Sequence, residues 1–166
     1  LCTEPTQANL AAAQQRFATT ALAFARLQHL RFGPLHKDSR VERLLLYPDP
    51  KGLVRRQVEK ALAAADQALL SAGALYGKSV ALQGFSALEL LLFGDTAERT
   101  IATDDQGTLR CGYARAIAAN VARIASDIDR DWQDPNGYSA LMLAPGADNP
   151  AYLEPKEVTL EIVKSF

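Results

Sequence analysis

Leu10, Ala13, Phe17, Ala21, Phe24 and Leu27 recur at intervals of three and four, which is the spacing of one helical face. The pattern predicts a first helix that opens near Pro5 and runs to about Arg31, where Gly33-Pro34 stops it. A second helix is predicted from about Leu53 to Ser71, with Val54, Val58, Ala61, Leu62, Ala65 and Leu69 inward and Arg55, Arg56, Glu59 and Lys60 outward. After Gly73, a third helix is predicted to carry the stretch ALQGFSALELLLFGD and to end where Gly94 takes a left-handed cap. The cleanest ladder is the fourth, from about Thr108 to Trp132, through Ala114, Ile117, Ala118, Val121, Ile124, Ala125 and Ile128. Pro155 opens a last helix, PKEVTLEIVKSF. Two long connections remain, residues 33–52 and the segment after Asp134-Pro135-Asn136-Gly137, the latter with one short helical turn.

Amphipathic helices of this length must cover one another's apolar stripes. The expected fold is therefore all-α, an up-and-down bundle of four principal helices with long loops. Residues 1–154 form the expected domain, and residues 155–166 are expected to be the start of a following helix. Composition agrees, because the apolar residues are mostly Leu and Ala, which lose least on entering a helix.

Charge narrows the partners. With 18 Lys and Arg against 19 Asp and Glu, mixed along the chain, no basic surface is expected for nucleic acid. No apolar run approaches the ~20 residues of a membrane-spanning helix. Cys2 and Cys111 belong to no Cys-x-x-Cys pattern; on count alone they are either a disulfide or two free thiols.

The candidate chemistry lies on the third predicted helix. Tyr76, Ser79, Gln83, Ser86 and Glu89 fall on one face at helical spacing, a narrow, almost uncharged line that reads as an internal seam. Gly84 costs a helix interior about 1 kcal/mol and points to the close approach of a backbone or ligand. Glu89, among Phe85, Leu88 and Leu90–Phe93, reads as a buried carboxylate. Either it serves a polar pocket, or an arginine such as Arg31, Arg40 or Arg43 matches it in a structural pair. Asp49, in YPDP, is either a turn residue or a contributor from a loop long enough to reach that pocket. Trp132 reads as core packing, and Asp104-Asp105 lacks the ligand spacing of a calcium loop.

QGFSALELLLFGD resembles the signature region of the imelysin-like proteins, Gly-x-His-x-x-Glu followed by a short apolar run and a glycine. Gly84 and Glu89 match its first and last positions, and Ser86 stands where the histidine belongs. RFGP at 31–34, YPDPKG at 47–52, RCGYARAIAANVARIASDIDRDW at 110–132 and GADNPAYLEPKE at 146–157 resemble further family segments, so the likeness covers most of the chain. Family members are typically about twice this length, with two helical bundle domains, and this chain resembles the first half.

The resemblance implies export to the periplasm behind a cleaved signal peptide, and a part in iron uptake or iron regulation. The family was named for a proposed metallopeptidase activity. Export favours a Cys2–Cys111 disulfide. A lipoprotein anchor on Cys2 is a poorer reading, because a leucine precedes it where small residues are preferred. A histidine and a glutamate three residues apart could hold one metal ion, but a serine hydroxyl replaces an imidazole poorly, and His29 and His36 lie elsewhere in the chain. Gly-x-Ser-x-Gly is absent, so Ser86 is not read as a nucleophile, and no catalytic residue is assigned.

The expectation is a non-catalytic site of Gln83, Gly84, Ser86 and Glu89, completed by Arg31 and Asp49. Its ligand would be a small molecule or a metal ion, iron or zinc, held through Glu89; a periplasmic or outer-membrane iron-uptake protein is the alternative partner. A metallopeptidase with an altered ligand set and a protein-interaction module stay open beside this reading.

Overall fold

The Thr6 hydroxyl accepts the Asn9 N–H at 3.2 Å and opens the first helix, α1 (Gln7–Ala25). The computed structural model describes residues 1–30, 32–94 and 96–166, and those residues form an all-α, bundle-like domain. After α1 come α2 (Arg40–Leu44), α3 (Leu53–Ala63), α4 (Ala72–Tyr76), α5 (Gly84–Leu92), α6 (Asp105–Gln133), α7 (Tyr138–Leu143) and α8 (Pro155–Lys164), joined in places by single 3₁₀ turns.

The predicted fourth and last helices are present as α6 and α8. Asp104 caps α6 by accepting the Gly107 N–H at 2.7 Å, and Pro155 stands in the first turn of α8 within a capping box of Glu154 and Glu157. Three other expectations need correction. The first helix ends at Ala25, because the next turn tightens: Leu27 and Gln28 N–H both donate to the Phe24 carbonyl, at 2.8 and 3.0 Å. The second ends at Ala63. Ala65 then turns left-handed, and Asp66 caps a 3₁₀ turn over Gln67–Leu70 that still buries Leu69. Residues 33–52, expected to be irregular, contain α2.

The core forms where α5 is enclosed. Phe85 meets Phe17 and Phe24 of α1, with ring centroids 5.9 and 5.5 Å apart, while Leu88 and Leu91 pack into the same core as Ile117 and Ile124 of α6 and Val58 and Leu62 of α3. The Tyr113 hydroxyl crosses from α6 to donate to the Leu82 carbonyl at 2.6 Å, and burial pushes the phenol's pKa up.

At the far end of α6, Trp132 packs edge-on to Phe32 and Tyr138, as core packing predicts. The Tyr138 and Tyr152 hydroxyls share a contact with Glu161, which holds α8. Asp131 accepts from Arg40 at 2.8 Å and from Lys37 at 3.3 Å, fastening α2 and the turn before it to α6. Cys2 and Cys111 lie at disulfide distance, with Cα atoms 5.6 Å apart, which ties the segment before α1 to α6. No helix among the described residues is long and apolar enough to cross a membrane.

Candidate functional site

The third predicted helix is not continuous. It is divided into α4, a 3₁₀ turn over Val80–Leu82, and α5, and the cause is local. Gln83 is extended (φ −141°, ψ 169°) and Gly84 has φ +77°, a conformation that side-chain-bearing residues rarely adopt. A Cβ on Gly84 would stand 2.3 Å from the Arg43 carbonyl oxygen and 2.4 Å from that of Leu44. The close approach expected at this glycine is therefore that of the α2 backbone.

The interruption scatters the polar line. Tyr76 lies between the guanidinium groups of Arg43 and Arg123, 4.1 and 4.3 Å from its ring centre. The Ser79 hydroxyl accepts the Ala81 N–H at 3.3 Å. Gln83 is wholly buried and bridges the broken ends: its amide donates to the Leu75 and Lys78 carbonyls at 3.1 and 3.0 Å and accepts from Asn120 at 3.0 Å. Asn120 in turn accepts from Arg123 at 3.0 Å. Gln83 thus satisfies the carbonyls left open after α4 and has no surface to offer a ligand.

Ser86 and Glu89 remain together, one turn apart on α5. The half-buried Ser86 donates to the Leu46 carbonyl at 3.1 Å, binding α5 to the 45–50 segment. Glu89 is exposed, which corrects its reading as a buried carboxylate. Phe85, Ala87, Leu88, Leu91 and Leu92 take every inward direction of this helix, and its open strip is left to Ser86, Glu89, Leu90 and Phe93. Among the described residues, no arginine reaches Glu89 either. Arg40 is engaged by Asp131 and the Pro34 carbonyl, and Arg43 by the Asp38 and Tyr76 carbonyls. Arg31 lies outside the described residues. Among the described residues, the Glu89 carboxylate has neither hydrogen bond nor ion pair.

Asp49 is a cap. Its two carboxylate oxygens accept the Leu53 and Val54 N–H groups at 2.8 and 2.9 Å, opening α3, and those N–H groups, Val54 first, hold the carboxyl below its ordinary range. The segment it ends runs beside Ser86 and exposes Tyr47, so the loop borders the strip although Asp49 itself faces α3.

Among the described residues, no group of three His, Cys, Asp or Glu side chains comes together. His29 packs against Phe166 in a tilted arrangement, with ring centres 4.8 Å apart, and neither it nor His36 joins such a group. One exposed carboxylate and one serine hydroxyl already donating to a carbonyl do not make a resident site for iron or zinc, which calls for several converging ligands. A concavity of about 610 Å³ lies elsewhere, an apolar groove between α1 and α6 floored by Phe85 and Leu88, from which Ser86 and Glu89 are absent.

Asn120 was not foreseen as a partner of Gln83. Its signal was present, since it falls between Ile117 and Ile124 in the apolar ladder of α6, where an amide requires a buried partner.

Whole-chain comparison decides the family: the model of the imelysin family of peptidases matches residues 1–165. The chain belongs to the imelysin family. No curated protein and no solved structure matches it. Within this imelysin domain, Gly84, Ser86 and Glu89 occupy the start of α5 and its solvent-facing strip. The signature glycine shapes the backbone, and the signature carboxylate faces outward.

Proposed function

We propose that this imelysin-family domain is a non-catalytic binding module, exported from the cytoplasm and acting in an iron-uptake or iron-regulated process. The observation that carries the binding reading is the Glu89 carboxylate, which stands in solvent without a partner among the described residues, at the end of the family signature. By contrast, the half-buried carboxylates of Asp49, Asp66 and Asp131 are bonded to backbone N–H groups or basic side chains. Glu89 is a half-site: it supplies one anionic contact, Ser86 a neutral oxygen beside it, and Tyr47 an exposed aromatic edge on the bordering loop. The ligand brings the remaining contacts, as a cationic or hydrogen-bond-donating group or as a metal ion that carries other donors. Export is supported by the cysteine pair at disulfide distance, and the iron context by family membership.

The test is an allele carrying Glu89→Ala in the native host, grown with and without an iron chelator. The variant is expected to fold as the wild type by circular dichroism, because Glu89 touches nothing in the core, and to fail to restore growth under iron limitation. Full complementation by a folded Glu89→Ala protein would contradict the proposal, as would chelator-sensitive peptide cleavage by the purified wild type.

A further inference from the structure

On the other flank of α5, beyond Leu90, lies a pocket of about 270 Å³ that no part of the binding proposal uses. Its chemistry is cationic. Arg110 of α6 lines it and is only 8% exposed, yet no carboxylate pairs with it among the described residues. Its Nη2 donates to the Thr96 hydroxyl oxygen at 3.1 Å and to the Thr96 carbonyl at 3.5 Å, while its Nε, sealed from water, donates to nothing among the described residues. Arg99 and Gln106 stand in the same lining.

A buried guanidinium without a counter-charge is a costly arrangement that folded proteins seldom leave unresolved. Here a second arginine stands beside it. Burial first, and then the Arg99 charge, press the pKa of Arg110 down, against a smaller opposing pull from the Glu59 charge. Among the described residues, Glu59 is the one acidic side chain in the lining, and it pairs with Arg55 at 3.4 Å on the solvent side.

We infer that the pocket between α3, the 96–101 turn and α6 binds a small, doubly charged oxyanion of the phosphate type, held by Arg110 and Arg99. Two guanidinium groups match two negative charges and present forked N–H donors to its oxygens. The Thr96 hydroxyl, already accepting from Arg110, has its own proton to donate, and the Gln106 amide adds N–H donors at the rim. The pocket volume suits a free ion or a small phosphate monoester. This site is separate from the Ser86–Glu89 strip, and its failure would leave the binding proposal untouched.

The test uses inorganic phosphate on the whole chain, read by calorimetry and by thermal melting against chloride at matched ionic strength, with glycerol 3-phosphate in parallel to separate a free ion from a phosphoryl group. Phosphate at tenfold above its Kd is expected to raise the wild-type melting temperature by about 3 °C. Because Arg110→Gln alters a buried residue, the exposed Arg99→Gln provides the decisive comparison: it should fold normally and bind phosphate at least about tenfold more weakly. An equal response in wild type and Arg99→Gln would overturn the inference. So would the absence of any phosphate response; a lower melting temperature for Glu59→Gln would then assign the counter-charge to Glu59.

Discussion

Asn120 donates to Gln83 at 3.0 Å inside the core, joining the middle of α6 to the break that precedes α5. Both side chains are wholly buried, so losing Asn120 leaves the Gln83 side-chain oxygen without its donor, and losing Gln83 leaves the Asn120 N–H without its acceptor. Gln83→Leu and Asn120→Leu should each destabilise the domain by about 1–3 kcal/mol in urea unfolding. The double variant should lose less than the sum of the two, and strict additivity would mean that the bond carries no coupling.

Gly84→Ala should be the more severe of two glycine replacements. At Gly84 a methyl group meets backbone oxygens of α2 and the residue has φ +77°, whereas a methyl on Gly94, at φ +74°, meets nothing within 4 Å. The expected losses are about 2 kcal/mol or more for Gly84→Ala, from strain plus overpacking, and about 1 kcal/mol for Gly94→Ala, from conformation alone. Urea midpoints of the two variants, measured side by side, check the ordering.

Acid should weaken the attachment of α2. The hydrogen bond from Arg40, followed by that from Lys37, holds the Asp131 carboxyl below its ordinary value of 3.8. A folded-state pKa below the unfolded one contributes stability that is present above that ordinary value and is lost as pH falls through the depressed one. Asp131→Asn should therefore cost about 1–3 kcal/mol at pH 7, since Arg40 stays buried without its charge partner, and the gap to wild type should narrow below pH 4. A gap that stays constant from pH 7 to pH 2 would contradict this assignment.

Reduction should loosen the N-terminal segment. A bond between Cys2 and Cys111 spans 109 residues of sequence, and removing a crosslink of that reach typically costs about 2–5 kcal/mol. Melting of Cys2→Ser, or of the wild type with reductant, should show that loss, and intact mass before and after reduction should report the bond directly.

Most of the fold was legible because helices announce themselves through their inward faces. The ladder from Ala114 to Ile128 placed α6, Pro155 placed α8, and Gly94 has the left-handed φ expected of it, although the cap of α5 is the extended Phe93 before it. The third helix was misread because Gly84 within an apolar run gives the same pattern whether the helix continues or restarts. The choice is made by the Arg43 and Leu44 carbonyls, which come from a helix about forty residues earlier. Glu89 was misread for a related reason: neighbouring apolar letters do not reveal which narrow strip of a central helix stays open, and only the packing of α1, α3 and α6 around α5 decides it. Arg110 carried no sequence signal, since a basic residue before Cys111 looks like any exposed one until its burial is seen.

The central claim is that the family signature here is an open half-site rather than a resident metal site. Calorimetric titration of iron(II) and zinc(II) into the wild type, Glu89→Ala and Ser86→His at fixed pH tests it most directly. The account predicts wild-type binding of the bare ions weaker than about 0.1 mM, and at least a tenfold gain in Ser86→His, which sets an imidazole one turn from the carboxylate; that gain should vanish when Glu89→Ala is added. Micromolar binding by the wild type that disappears in Glu89→Ala would contradict it, placing a metal ion at the signature as it stands.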